Sequence, residues 1–143
     1  MWFALVKTVV IGGINWDINL FVDSFPRRGE EVVVRQITRV PGGKAGNAAV
    51  AAARLLGPNQ VAIIGGLGND PVASEQVRIF KSEGVDVSGL KFIDGVESGH
   101  AYIIIDSKGE NIIHTHFGSN AEIHPADLDE PTRRELITKS LIS

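Results

Sequence analysis

Lys44 and Asn47 follow the paired glycines Gly42 and Gly43, which puts two hydrogen-bonding side chains three residues apart at the start of an alanine-rich stretch. Glycines at such a point let the backbone approach a ligand closely and take positive φ, and the first amides of a following helix are unpaired donors. The combination makes a cradle for oxygen atoms. On a helical first turn, positions three apart share a face, so Lys44 and Asn47 are both expected to reach what the loop holds. The same glycines would equally serve an ordinary strand-to-helix turn that binds nothing. Two nucleotide motifs are excluded: Gly43-Lys44 is followed by Ala45 rather than Ser or Thr, and Gly42-Gly43-Lys44-Ala45-Gly46 lacks dinucleotide-fingerprint spacing.

A second candidate constellation is Asn15 and Asp17. In an extended chain they fall on one side and Trp16 on the other. A carboxylate beside an amide suits a polyol, because Asp17 accepts from hydroxyls while Asn15 both gives and takes. The competing reading is that both residues merely shape a turn.

These residues need elements to hold them. Thr8-Val9-Val10-Ile11 is a β-branched run stopped by Gly12-Gly13, the pattern of a buried strand entering a turn, and ligands of open α/β sheets bind beyond such ends. From Leu20 to Val40 the chain reads as extended pieces outside the main sheet, with Arg27, Arg28, Glu30 and Glu31 as a solvated corner. The alanine helix stops at Gly57-Pro58-Asn59, and Val61-Ala62-Ile63-Ile64 is a second buried strand, which implies a parallel, right-handed strand-helix-strand unit. Asp70 before Pro71 reads as a helix N-cap, and Val72, Gln76, Ile79 and Phe80 carry helical spacing up to Gly84. Val85 to Ile93 supplies a third strand region. Ala101 to Ile105, the corner Asp106-Ser107-Lys108-Gly109, and Asn111 to His116 form a hairpin whose first arm is apolar on both faces and so requires a cover on each. His114 and His116 share a face without an evident third metal ligand, and packing or hydrogen bonding is expected for His100, His114, His116 and His124. Pro125 and Pro131 are each placed to open a helical turn.

Composition narrows the function classes. At 143 residues, 43% apolar and 22% charged, the chain fits one globular domain with a core. A net charge of −3, from 14 basic and 17 acidic residues mixed along the chain, leaves no footprint for nucleic acid or an anionic membrane. Absence of cysteine removes disulfides and thiolate metal sites. Met1 to Lys7 reads as the lead-in to a strand rather than a signal peptide, and no run reaches the ~20 apolar residues of a membrane helix, so the cytoplasm is the expected location.

Taken together, Gly13-Ile14-Asn15-Trp16-Asp17, Ser24-Phe25-Pro26 with Gly29-Glu30, Gly42-Gly43-Lys44 to Asn47, Gly68-Asn69-Asp70, Gly109-Glu110-Asn111 and His116-Phe117-Gly118-Ser119-Asn120 resemble, in order and spacing, the amino-terminal half of the ribokinase-like, or PfkB, carbohydrate kinases. The resemblance implies an α/β fold: a ribokinase-like, partial doubly wound parallel sheet with helices and a small β lid over the sugar. Residues 1–143 would form that half, with lid segments at about 18–40 and 98–117. By the same resemblance Asn15, Asp17, Gly42, Gly43, Lys44 and Asn47 are sugar ligands, and Ala101, Ile103 and Ile113 are apolar lid positions facing the sugar. Trp16 is larger than the family pattern has there. A lysine after the paired glycines favours ribose as substrate, and lids of this kind often pair, implying a homo-oligomer.

The family reaction uses ATP and Mg²⁺. Its catalytic base, anion hole, metal segment and most nucleotide contacts lie in a carboxy-terminal half whose motifs do not occur in these 143 residues. No catalytic or metal-binding residue is therefore assigned, neither cofactor is expected to bind this chain tightly alone, and the chain alone is expected to be inactive. The alternative is a non-catalytic sugar-binding or oligomerisation module that pairs through its hairpin. An unrelated Rossmann-type nucleotide binder is disfavoured by the missing fingerprint.

Overall fold

The computed structural model describes residues 6–142. Of the expected lead-in from Met1 to Lys7, residues 1–5 lie outside the described residues. Two four-stranded sheets are built from strands β1 (Thr8–Ile11), β2 (Asn15–Val22), β3 (Val34–Gly42), β4 (Val61–Gly68), β5 (Val85–Asp86), β6 (Leu90–Ile93), β7 (His100–Ile105) and β8 (Asn111–His116). Helices α1 (Lys44–Leu56), α2 (Pro71–Ser82) and α3 (Pro131–Lys139) complete the chain, with 3₁₀ turns at Gly118–Glu122 and Pro125–Asp129.

The first sheet is parallel. β4 lies at its centre, pairing with β1 on one edge and on the other with β5 along its first half and β6 along its second. Every residue of β4 is buried. Val61, Ile63 and Leu67 face one core with Ala45, Ala49 and Ala53 of α1 and Phe80 of α2. Ala62 and Ile64 face a second core with Val6 and Val9, against which Leu128 and the α3 residues Leu136 and Ile137 pack. The sheet is thus covered on both sides, as continuous apolar strands require. Alanines every fourth residue on α1 bring that helix close, because nothing larger stands between it and β4.

Sequence reading ends the second strand at Ile64, whereas β4 continues through Gly65-Gly66-Leu67-Gly68. Neighbouring backbone explains the glycines. A Cβ at Gly65 would stand 2.8 Å from the Gly12 carbonyl, one at Gly66 would overlap the Ser119 carbonyl, and one at Gly68 would stand 2.7 Å from the Ser98 amide. They are strand residues under crowding, not a loop.

The second sheet has the order β3-β2-β7-β8. β2 pairs antiparallel with β3 and parallel with β7, and β7 and β8 form the expected hairpin around Asp106 to Gly109. It takes in Asn15, Asp17 and Gly42, beyond the expected bounds of 18 and 40. At the free edge of β1, Ile142 forms a parallel bridge to Thr8. No helix among the described residues is long and apolar enough to cross a membrane.

Asp70 joins the two sheets. Its Oδ1 caps α2 by accepting from Ala73 N at 2.8 Å, and its Oδ2 accepts from Ser98 N at 2.8 Å at the entrance to β7. The Ser98 hydroxyl donates to Asp70 at 2.9 Å and itself accepts from Gly68 N at 3.0 Å. Burial alone would raise the Asp70 carboxyl, but hydrogen bonds from Ser98 and Ala73, with the charge of His100, outweigh it and hold the pKa below the ordinary value. A carboxyl depressed in the fold contributes stability that is present above its unfolded pKa and lost as pH falls through its folded pKa. Asp70→Ala is expected to lower unfolding stability by about 1–2 kcal/mol at pH 7. The gap to wild type should shrink in urea melts at pH 3; a pH-independent gap would remove the charge from this account.

Candidate functional site

Where β1 ends, the chain turns through Gly12-Gly13-Ile14 into β2, and this turn meets the start of α1. Gly43 has φ 84°, and a Cβ there would stand 2.6 Å from both the Asn15 amide and the Gly13 carbonyl. Only glycine fits that meeting of backbones. Ala45 N donates to the Gly13 carbonyl at 3.1 Å and ties the helix start to the turn.

Between them lies a cavity of about 590 Å³, lined by Gly12, Gly13, Asn15, Gly43 and Lys44 and closed on its far side by Thr115, Phe117 and Asn120. Phe117, 68% exposed, is a bare aromatic wall. Asn15, Gly43 and Lys44, singled out from sequence on two separate stretches, thus border one space.

Strand register gathers the rest. Asn15 stands opposite Gly42, Asp17 opposite Val40 and Ala101, Ala101 opposite Thr115, and Ile103 opposite Asn19 and Ile113. Directly paired residues project to one face of a sheet. Asn15, Asp17, Ala101, Ile103 and Ile113 therefore share a face, polar beside the first sheet and apolar toward the hairpin tip. Trp16 projects the other way, beside Pro41 and His100, so its bulk does not enter this face.

Asp17 and Gly42 are directly coupled, since a Cβ at Gly42 would overlap the Asp17 carboxylate. The carboxylate lies flat over the glycine. Burial raises its pKa, and no hydrogen bond from the described residues offsets that rise.

Asn47 departs from the expected arrangement. It borders a separate groove between α1 and α2, with Pro41, Val50, Arg54, Phe80 and Glu83, rather than the cavity that Lys44 lines. Lys44 and Asn47 are about 60° apart around the helix, and Lys44 borders the turn side of α1 while Asn47 borders its α2 side. Asn15 is also tied within the protein: its Oδ1 accepts from Asn120 Nδ2 at 2.9 Å, which engages one of its two lone pairs.

Residues not assigned from sequence hold this corner. Asn120 grips the backbone of buried Ile14, accepting from its amide at 2.9 Å and donating to its carbonyl at 2.9 Å. Gln76 Nε2 donates to the Asn15 carbonyl at 2.9 Å from beneath, with Gln76 Oε1 buried and unpaired. Helical spacing marked Gln76 only as one of a buried stripe, and the His116 to Asn120 motif was visible without a role. Of the histidines, His100 hydrogen-bonds the Ser98 carbonyl at 2.7 Å and stacks on Tyr102, and His124 closes a capping box with Asp127. His114 and His116 are exposed on the outer strand of the sheet as described, with His116 Nε2 standing 3.8 Å from Glu97 Oε2. Among the described residues no three His, Cys, Asp or Glu side chains converge as a cation would need.

The chain matches the pfkB family carbohydrate kinases over residues 6–140. It is 38% identical to a ribokinase of Dictyostelium discoideum over 120 residues, covering 84% of this chain and 37% of that one. The structure superposes on a ribokinase of Giardia lamblia with TM-score 0.87 at 26% identity, covering 98% of this chain and 43% of that one. A ribokinase of Arabidopsis thaliana complexed with ribose and ATP superposes with TM-score 0.70 at 27% identity, over 80% of this chain and 37% of that one. The chain therefore spans about two fifths of the length of these relatives. With a family match across residues 6–140 and the corresponding α/β architecture, the chain belongs to the pfkB family of carbohydrate kinases.

Proposed function

We propose that this chain contributes the sugar-binding face and the covering β lid of a ribokinase-like kinase, which phosphorylates ribose or a related sugar with ATP. The observation that carries the reading is the common face of Asn15, Asp17, Ala101, Ile103 and Ile113, standing beside the Gly42-Gly43-Lys44 turn. Asp17 accepts from sugar hydroxyls, Asn15 and Lys44 donate to sugar oxygens, and the apolar residues cover the sugar's carbon face and exclude water. Asn47 joins this set only if α1 shifts or the ligand extends past Lys44.

ATP would be the phosphoryl donor and Mg²⁺ would neutralise its phosphates. Among the described residues no three acidic or imidazole side chains converge, so none is assigned to Mg²⁺ and no step is routed through either group. Sugar binding without phosphoryl transfer is the activity proposed for the 143 residues by themselves. The groups lining the cavity hold hydroxyls, and transfer needs in addition a base at the accepting oxygen and preorganised donors at the moving phosphoryl group.

A second reading, association through the lid, has its own observation. The face opposite Asp17 exposes Ile37, Tyr102 and Ile112 at 42–46%, an apolar surface beside the unpaired edge of β8. Gel filtration of the purified chain should return a dimer or larger species, and a strict monomer at micromolar concentration would discard it.

Calorimetry with ribose should detect binding to the wild-type chain and at least about tenfold weaker binding to Asp17→Ala and Gly42→Ala, the latter by displacing the carboxylate. Ribose-dependent ADP release should stay at background, and turnover at ordinary kinase rates would overturn the proposed division of labour.

Asp17 should also carry the stability cost of a ligand residue. A carboxyl whose pKa is raised in the fold makes stability fall as pH rises from its unfolded value through its folded one. Asp17→Asn is expected to equal or exceed wild-type stability at pH 7, with the difference vanishing below pH 4 in parallel urea melts. A variant less stable than wild type at pH 7 would mean the carboxylate is structurally needed.

A further inference from the structure

We propose that Asn120 is a positioning residue that fixes Asn15 as a hydrogen-bond donor toward the cavity, so that the ligand atom met at this corner is an acceptor oxygen. The argument starts at the backbone of Ile14. Its amide can only donate and its carbonyl can only accept. Asn120 touches both, each at 2.9 Å, so its Oδ1 must face the amide and its Nδ2 the carbonyl. The carboxamide has no freedom to turn over.

The same Nδ2 has a second proton, and that proton goes to Asn15 at 2.9 Å. A donor there requires Asn15 to present its oxygen. The orientation of Asn15 is thus dictated by a backbone peptide through an intervening side chain, leaving Asn15 Nδ2 as the end turned away from Asn120. Asn15 and Asn120 both line the cavity, and the Asn15 carbonyl is separately held by Gln76 at 2.9 Å, so neither its backbone nor its side chain is free to compensate.

One glycine position and a buried serine support the arrangement. A Cβ at Gly99 would overlap Asn120 Nδ2 and stand 2.8 Å from Asn15 Oδ1, so the space for this hydrogen bond exists only because Gly99 has no side chain. Ser119, fully buried, donates through its hydroxyl to the Gly66 carbonyl at 3.0 Å and through its amide to the Glu97 carbonyl at 2.8 Å, anchoring Asn120 to β4 and to the entrance of β7. Asn120 is rigidly mounted before any ligand arrives.

The consequence for recognition is a polarity at one corner. A sugar hydroxyl or ring oxygen meeting the Nδ2 end of Asn15 accepts from it, and any proton the hydroxyl carries goes elsewhere. This rests on the proposed sugar-binding role, but the orientation can be tested without it. In the isotopically labelled wild-type chain, the side-chain NH₂ protons of Asn120 should exchange with solvent at least about tenfold more slowly than those of Asn15, and a trans-hydrogen-bond coupling should link Asn120 Nδ2 to Asn15 Cγ. Faster exchange at Asn120 than at Asn15, or a coupling in the opposite direction, overturns the proposal whether or not ribose binds.

Asn120→Asp keeps the shape and can still accept from the Ile14 amide, but it leaves the Ile14 carbonyl without its donor and offers Asn15 an acceptor, which inverts the relay. The Asn15 NH₂ should become the protected group, and ribose affinity should fall about tenfold. Unchanged affinity in a folded Asn120→Asp chain would overturn the claim for recognition. Should Asn120→Asp not fold, Gly99→Ala, whose Cβ crowds Asn120 Nδ2, Asn15 Oδ1 and the Ile14 carbonyl, should remove the Asn120–Asn15 coupling and lower ribose affinity about tenfold, and an intact coupling with unchanged affinity would overturn the claim. Failure of the wild-type chain to bind ribose would count against the sugar-binding role, with the exchange data still deciding the orientation.

Discussion

The peptide of Ile14 is the constraint from which the site follows. It sits with no exposure where the two sheets meet, and a buried amide and carbonyl must find partners or cost the fold their desolvation. No strand neighbour can supply them there, because the chain is leaving one sheet for the other. Asn120 answers both, from 106 positions away. Meeting that demand brings Gly118 to Asn120 against β4, requires glycine at 66 and 99, and places a carboxamide beside Asn15.

The same crowding explains why glycines gather around this junction. Gly43, Gly65, Gly66, Gly68 and Gly99 each face backbone or a buried amide closely enough to leave no room for a methyl group. Gly43 reads in sequence as part of an oxygen cradle, and here the missing side chains give clearance between elements. Gly42 differs in that its missing side chain makes room chiefly for an ionisable group, the Asp17 carboxylate.

Local rules carried much of the fold into view. β-branched runs bounded by glycine gave β1 and the start of β4, the Asp70-Pro71 pair gave the start of α2, and alternation put Asn15 and Asp17 together with Trp16 opposed. What stayed hidden depends on long-range geometry. Whether Gly65 to Gly68 is strand or loop is decided by β6 pairing alongside it. That Asn47 borders the groove toward α2 depends on where α2 packs, which spacing along α1 does not encode. The commitment of the Asn15 oxygen, and the roles of Asn120 and Gln76, arise only when distant segments close on one another.

The parallel join of β2 to β7 has a temporal consequence. Trp16 pairs with His100, with α1, β4 and α2 between them in the chain, and Asn120 lies further on still. Contacts of such sequence separation are closed late, since a long loop must lose its freedom before any of them forms. During synthesis, Asn15 and Asp17 leave the ribosome early and soon meet Gly42, but their partners on β7 and at Asn120 follow only much later. Until then the emerging polypeptide exposes β2 with an unpaired edge, and the period of exposure is set by translation speed rather than by the intrinsic rate of strand pairing.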